Sequence, residues 1–586
     1  MSTLEDHQVH LGVFLGVLVI VIMLGFWAAR WRQAPNRYSL EEWGLGGRSF
    51  GPVLTWFLVG GDMYSAYTFV ALPAAIYGVG AFNFWPVLAI AIVYPLVLVA
   101  ATRMWSVTHV HGMVTSADFV RARFGSRILA LMVAVAGIYL LVHYMALQLV
   151  GIEAVFETMG LTGVWPLWAA FGIIAVFTYN AGLRAPALMS IVKDVLVLWL
   201  LLAAVLVVAS TGGWSSTFTL AANRFQNTPS PADGLVLLPS SMSAYITTAV
   251  GSAFALFVCP HVLTGILAAK NRASVRIALA GLPIYSVAMV VIGLLGFAAI
   301  ARGITPVGFD VSTGSRGNPF TIAPRLFDEM FPDWVAGTAF AAIVIGAFVP
   351  AAVMSIAAAN LFARNIYKEF LRPNASPKEQ TRVSQITSFA VKFLAAATIL
   401  VFGLQFSIDT GAVIILQTLP AVGIGLFSRW PHRYALLGGL AGGLAAAFVM
   451  LYQIPQLGPG GVVVKAHFGG TNWALDHLGI HTVQSVYVGF AALGVNLFIV
   501  VLATPVLRLL RVPDGEDLTR RRSYRADEGD PLLRRLDEIL DGRPVESPNV
   551  QARVPQRSPY DAPSPAHNHA GAHLLGRHEA DRATRR

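Results

Sequence analysis

Charge is what this 586-residue chain has least of: 12% of its residues are Asp, Glu, Lys or Arg, against 56% hydrophobic residues. A typical soluble domain carries about 25% charged residues, so a water-soluble globular chain is excluded. Cysteine is nearly absent too. The single Cys259 lies inside an apolar run, and one thiol rules out an internal disulfide and cysteine-based metal clusters. The chain also lacks a GxSxG elbow, an HExxH pair and a P-loop lysine motif. An enzyme is therefore not expected. The missing nucleotide site argues for transport driven by gradients rather than by ATP. The opening MSTLEDHQVH is acidic, and the apolar run from Leu11 is long enough to span a membrane, which argues against a cleavable signal peptide.

Long apolar runs fill the space that charge leaves. About thirteen candidate spans follow one another, each near the ~20 residues a bilayer needs. They fall roughly at 10–30, 51–79, 82–104, 128–158, 164–181, 186–210 and 243–269. The later ones fall roughly at 274–301, 334–366, 383–404, 409–428, 433–452 and 484–510. The fold class expected is an all-α polytopic membrane protein, with a transmembrane domain over 1–510 and a polar tail over 511–586.

The net charge of +10 is not a nucleic-acid signal, because Lys and Arg sit between the spans and in the tail. Arg30, Arg32, Arg37 and Arg48 follow the first span, and Arg103, Arg121, Arg123 and Arg127 the third. Lys270, Arg272 and Arg276 follow the seventh, and Arg364, Lys368, Arg372, Lys378 and Arg382 the ninth. The short connections at 79–82 and 405–408 carry neither residue. The alternation places the N-terminus outside and the C-terminus in the cytoplasm of a plasma-membrane protein. The tail is too polar to bury a core. Its DPLLRRLDEIL island at 530–540 has helical spacing suited to a membrane surface. The histidines 567, 569, 573 and 578 read as part of a solvated low-complexity tail rather than a metal site.

The stretch from Gly46 to Gly80, GGRSFGPVLTWFLVGGDMYSAYTFVALPAAIYGVG, is apolar enough for lipid yet contains Gly60-Gly61, Asp62 and Pro73. Non-helical backbone at membrane depth survives only inside protein or beside a water-filled cavity. A carboxylate there marks a site by default. This segment reads as a broken helix lining a binding site, with a kinked packing helix as the bland alternative. The seventh span has matching interruptions, Gly251 and Cys259-Pro260-His261. Other polar residues inside spans read two ways. Lys193 and Asp194 are either snorkelling or functional, and Lys392 reads as packing. Gln148 and His143 either contact a solute or bond across helices. Glu153 and Asp409 lie nearer span ends.

GGRSFGP, ALPAAIYG, RARFGS (121–126), FTYNAGLRAP (177–186) and NLFARNIYKEF (360–370) together resemble motifs of the sodium/solute symporter family. That resemblance implies a LeuT-like fold: two inverted five-helix repeats, here spans two to six (about 46–210) and seven to eleven (about 243–430). The first helix of each repeat would be broken. Within the family, GGDMYSAYTF, GLRAPALMSIVKD, CPHVLTGILAA, PAAVMSIAAANLFARNIY and ILQTLPA are most similar to bacterial monocarboxylate transporters. The implied function is cation-coupled uptake of a small acid such as pyruvate, lactate, acetate or propionate by alternating access. The alternatives are a same-fold symporter for pantothenate, proline or a sugar, and a solute sensor. About 76 residues follow Leu510, too few for a kinase domain, which ranks the sensor last.

The substrate-binding residues so implied are Gly60, Gly61, Asp62, Tyr64 and Ser65 at the first break, Gln148 on the fourth span, Pro260 and His261 at the second break, and Gln417. Exposed half-helix N-termini suit a carboxylate. For cation coupling the residues are Val59, Asp62, Lys193, Asp194 and Ser355. Two departures stand out. Ala181-Gly182 replaces a Gly-Gly pair. More importantly, the ninth-span positions where sodium-binding members place hydroxyl residues hold Val349 and Pro350, and neither side chain can coordinate a hard cation. The coupling ion is therefore either Na+, held by backbone oxygens around Val59–Asp62, the Asp62 carboxylate and Ser355, or H+, with the Lys193 ammonium standing where sodium would sit and Asp62 or Asp194 as its partner. The expected partners are the organic acid and the bilayer, with room for a small accessory membrane subunit. No nucleic acid and no cofactor beyond the coupling ion is expected.

Overall fold

A computed structural model describes residues 8–28, 39–62, 64–161, 181–227, 234–310, 315–402, 404–457 and 462–530, with a few single positions between and beyond them. The expected fifth span at 164–181, nearly all of the 530–540 island and the tail histidines lie largely or wholly outside these residues. Among the described residues, ten helices are long and apolar enough to cross a membrane, and two shorter apolar helices run over Pro52–Gly61 and Ala66–Gly78.

The elements that position the site are α1 (Gln8–Ala28), α2 (Pro52–Gly61), α3 (Ala66–Gly78), α4 (Trp85–Val110), α5 (Ser116–Phe124) and α6 (Arg127–Thr158). After them come α7 (Arg184–Ser210), α8 (Met242–Val258), α9 (Pro260–Leu267), α10 (Pro283–Ala301) and α11 (Asp333–Leu361). Then come α12 (Pro377–Phe402), α13 (Leu404–Leu416), α14 (Arg433–Tyr452) and α15 (Val488–Leu509). Short antiparallel hairpins pair Val307–Asp310 with Ser315–Asn318 and Asn472–Ala474 with Ser485–Tyr487.

Burial separates core helices from rim helices. The apolar window of the helix starting at Asp333 is 100% enclosed, while that of α1 is 28% enclosed. The reason is compositional. Small residues such as Ala351, Ala352, Ala357 and Ala358 let α11 approach its neighbours closely, the device membrane bundles use where the hydrophobic effect between helices is absent.

Both interruptions are present, and each has a local cause. α2 stops at Gly61, Asp62 lies in a turn, and α3 restarts with Ser65 as its N-cap, whose hydroxyl accepts from the Thr68 N–H at 3.3 Å. Between α8 and α9, Cys259 is extended (φ −61°, ψ 125°) and Pro260, which has no N–H, opens the next half-helix. The Gly60-Gly61 pair is there for close approach. A Cβ on Gly60 would meet the Tyr285 ring at 2.2 Å, and one on Gly61 would meet Asp194 Oδ2 at 2.7 Å.

The motifs outside the breaks tie the two halves together. Phe50 N–H donates to Ala268 O (3.1 Å) and Lys270 N–H to Phe50 O (2.8 Å), joining the lead-in of α2 to the end of α9. Arg48 donates to Met113 O (2.6 Å). Asn365 donates to Asp118 Oδ1 (2.7 Å) and accepts from Thr115 (2.7 Å), while Arg121 pairs with Glu369 (2.9 Å). The RARFGS and NLFARNIYKEF segments thus hold one another. The Ala181-Gly182 departure is also accounted for. Gly182 has φ +55° and sits where a Cβ would meet Trp43 O at 2.2 Å, so the second glycine is the indispensable one.

The segment after α15 has a composition suited to solvent, yet residues 517–528 lie against the helical unit. Leu518 N–H donates to Ala122 O (2.9 Å), Arg123 pairs with Asp517, and Tyr524 is buried. Ion pairs and one aromatic anchor hold it where an apolar face is lacking.

Candidate substrate and ion site

A cavity of about 290 Å³ opens beside both breaks. Asp62 and Ser65 line it from the first break, His261 from α9, Gln148 from α6, and Thr248 and Ser252 from α8. Apolar and aromatic groups, among them Trp85 of α4, Met289 of α10 and Met354 of α11, complete the wall. The cavity extends to Thr471 and Tyr487 in the region of the 472–487 hairpin. Around Thr115, Pro260, Leu263 and Leu361 a separate gap measures only about 10 Å³.

The polar core of the cavity is a carboxylate–imidazole contact across the two breaks. His261 Nε2 lies 2.9 Å from Asp62 Oδ2, with the two side chains 3% and 6% exposed. Both are only half used. Asp62 Oδ1, His261 Nδ1 and Gln148 Oε1 are buried without a hydrogen-bond partner. Gln148 spends its amide on Tyr144 O at 3.3 Å. Buried polar atoms without partners cost roughly 1–3 kcal/mol each, so three around one cavity of polar and apolar lining mark a ligand-binding surface.

Behind the first break lies a second cluster, facing away from the cavity. Lys193 of α7 is fully buried and its ammonium lies 2.7 Å from Asp194 Oδ1. It also donates to the carbonyls of Gly61 and Tyr64, the latter at 3.0 Å. Tyr285 of α10 donates its hydroxyl to Asp194 Oδ2 at 2.7 Å. The ammonium thus bonds two backbone carbonyls at the interruption between α2 and α3, of which Gly61 O also accepts from the Tyr64 N–H (3.2 Å).

The placements sort the residues expected from sequence. Asp62, Ser65, Gln148 and His261 come together on the cavity. Gly60, Gly61 and Tyr64 are not on its wall: Gly60 and Gly61 pack on Tyr285 and Asp194, and the Tyr64 hydroxyl donates to Tyr285 O. Pro260 packs against Gly137 instead. Gln417 lies elsewhere, donating to Gly489 O (3.1 Å) while Asn496 donates to its carbonyl (2.8 Å), so it bonds α13 to α15. Val59 is buried against Gly265. Lys193 and Asp194 meet at the break, but Ser355 does not join them. Its hydroxyl donates to Ala352 O (2.8 Å) and accepts from Ser388 (3.1 Å), which also bonds Lys392 (3.1 Å). The distance of one and a half turns from 349–350 turns Ser355 toward α12. His143 caps back onto Tyr139 O at 2.8 Å.

Tyr285, Thr248 and Ser252 are functional candidates not singled out from sequence. The i, i+4 spacing of Thr248 and Ser252 on the broken seventh span was a usable signal. Tyr285 had none, since its role depends on a glycine more than two hundred positions away.

A cavity walled by two interrupted helices inside a membrane bundle is the arrangement that secondary transporters use. A model of the "Sodium:solute symporter family" matches residues 43–444. A "Monocarboxylate transport permease protein" of Rhizobium johnstonii is 39% identical over 509 residues, covering 86% of this chain and 98% of that protein. A "Sodium/proline symporter" of Escherichia coli is 25% identical over 391 residues, covering 64% of this chain and 74% of its own. A solved Na+-coupled sialic acid symporter, in a substrate-bound outward-open state, superposes with a TM-score of 0.65 at 16% identity, covering 86% of this chain and 98% of that one. That likeness supports the fold alone. The chain belongs to the sodium:solute symporter family. It is a multi-pass membrane symporter with the LeuT-like inverted-repeat fold, and not an enzyme.

Proposed function

We propose that this symporter imports small monocarboxylates such as pyruvate, lactate, acetate or propionate, with the N-terminus outside and the C-terminus in the cytoplasm. The transport domain would occupy 1–510, with repeats near 46–210 and 243–430. The cavity supports the substrate class: about 290 Å³ suits a two- to four-carbon acid with water, and its short polar inventory suits one carboxylate. His261 Nδ1, the Ser65-capped start of α3 and Gln148 supply contacts. Asp62 holds the His261 ring in place, so that an incoming anion meets an imidazole already paired. The relative from Rhizobium johnstonii, named as a monocarboxylate permease, points the same way.

The coupling ion in this reading is the proton. The observation that carries it is the Lys193 ammonium bonded to Gly61 O and Tyr64 O and paired with Asp194. Gly61 lies in the Val59–Asp62 stretch whose backbone oxygens a sodium ion would use in the alternative reading. The facing positions Val349 and Pro350 offer it no hydroxyl, and Ser355 is engaged with Ser388. A lysine can release its proton as the break rearranges. The Asp194 carboxylate, paired to Lys193 and to the Tyr285 hydroxyl, would take it.

The test of substrate class is uptake of labelled pyruvate and acetate into proteoliposomes under competition. Unlabelled propionate and lactate should suppress uptake, while proline, pantothenate and glucose should not. Suppression by proline with none by the acids would overturn the assignment.

A further inference from the structure

A large, half-open pocket lies outside the transport cavity, where the segment after α15 meets the ends of α4 and α5. It measures about 950 Å³ and is lined by Arg103, Arg123, Arg429, Arg521, Arg522 and Arg525. One carboxylate, Asp530, is on its wall. A second, Asp517, stands beside it and is shared by Arg123 and, at 3.4 Å, by Arg429. Six guanidinium groups and two carboxylates leave a strong excess of positive charge around one space.

Two of these arginines, Arg103 and Arg123, are held within the bundle, and the other four are exposed on the pocket's lining. Arg123 is 5% exposed and is fixed by donating to Gly425 O (3.0 Å) and Ser428 O (2.8 Å). Arg103 lies over the rings of Phe427 (5.0 Å) and Tyr524 (5.1 Å), and its Nε is buried with no hydrogen-bond partner. Arg521, Arg522 and Arg525 are carried on the helical turn Arg521–Arg525. That turn is anchored by Ser523, which is fully buried against His111 Nε2 (3.2 Å), and by Tyr524, whose hydroxyl meets Thr519 (2.9 Å). Further along, Asp527 and Glu528 hold the strand to Arg272 N–H (3.0 Å) and Asn271 (3.2 Å). The fold therefore uses acidic residues to dock this segment and leaves Arg521, Arg522 and Arg525 exposed on the lining of one pocket, against their mutual repulsion.

We propose that this cavity binds a phosphate-bearing polyanion, which bridges the C-terminal segment to the helical bundle. Planar guanidinium forks match phosphate oxygens in bidentate pairs. The volume exceeds that of a simple inorganic anion and takes a diphosphate group or a phosphorylated headgroup. The soluble and the lipid source share this chemistry, and the experiment separates them.

The full-length protein is purified in detergent and its binding of pyrophosphate and ATP is measured by calorimetry. In parallel, it is placed in nanodiscs of phosphatidylcholine with or without phosphatidylglycerol or cardiolipin, and retained lipid is read by native mass spectrometry. The comparison is with an Arg521→Gln/Arg522→Gln/Arg525→Gln variant, and an Arg316→Gln variant serves as control. Retention of either probe that drops about tenfold or more in the triple variant, and not in the control, supports the site and names its source. No retention of any probe, or equal retention by both variants, overturns it and leaves a solvated basic face. Uptake of labelled acid by the same preparations reports the transport reading separately, because these arginines lie outside the transport cavity.

Discussion

Lys193 and Lys392 are both almost completely enclosed, at 0% and 1% exposure, yet their surroundings differ. Lys193 meets a carboxylate at 2.7 Å and two backbone carbonyls at the interrupted helix. Lys392 meets only Ser388, through its carbonyl at 3.0 Å and its hydroxyl at 3.1 Å, one turn back on its own helix. Among the described residues no acidic partner lies within ion-pairing distance of Lys392. A buried cation paired at an interruption is tied to elements that can move relative to one another, whereas Lys392 bonds along its own helix and reaches α11 only through the Ser388–Ser355 hydroxyl pair. Under the proposed function, Lys193 serves coupling and Lys392 serves packing.

Removing the ammonium at the break should have the largest effect. Lys193→Ala leaves Asp194 buried and unpaired, at about 3–5 kcal/mol of stability, and should abolish coupled uptake. Thermal unfolding in detergent and uptake in proteoliposomes check both. If the pair is what matters, Lys193→Ala/Asp194→Ala should regain part of the lost stability while staying uncoupled, a non-additivity readable as a double-mutant cycle. Lys193→Arg keeps the charge but cannot release its proton. It should retain substrate binding and lose acceleration by a proton gradient; accelerated uptake in this variant would break the comparison.

Next in size is Asp62→Asn. It removes the charge that orients His261 across the two breaks and should lower kcat/KM for uptake about tenfold or more, near 1.4 kcal/mol, with little change in unfolding temperature. Gly60→Ala should cost about 1–3 kcal/mol by overpacking on the Tyr285 ring, readable as a lower unfolding temperature. Lys392→Met should be the smallest, within about 1.5 kcal/mol and with the proton dependence of uptake unchanged. A Lys392→Met protein that lost proton dependence would erase the distinction between the two lysines.

The breaks were legible because glycine pairs, proline and an ionisable residue inside an apolar run have few other physical explanations. Lys193 was visible as an anomaly, but its partner was not. Only three-dimensional proximity showed that Asp194 pairs with it while Asp62 pairs with His261. Gln417 and Ser355 show the opposite failure. Each is a polar residue at a position suited to a site, and each is satisfied by a neighbouring helix, which is the commoner fate of polar residues in membrane bundles. Tyr285 was illegible because its function is complementary to an absent side chain, that of Gly60. The docking of residues 517–528 was hidden for a related reason, since ion pairs and a single buried Tyr524 leave no hydrophobic period to read.

The central claim is that the Lys193 ammonium stands in the cation position. Uptake of labelled pyruvate into proteoliposomes, with sodium and pH gradients imposed separately, tests it most directly. The account predicts full accumulation in sodium-free medium driven by an inward proton gradient, and none from a sodium gradient at equal pH. Accumulation that requires sodium and ignores the proton gradient would contradict it.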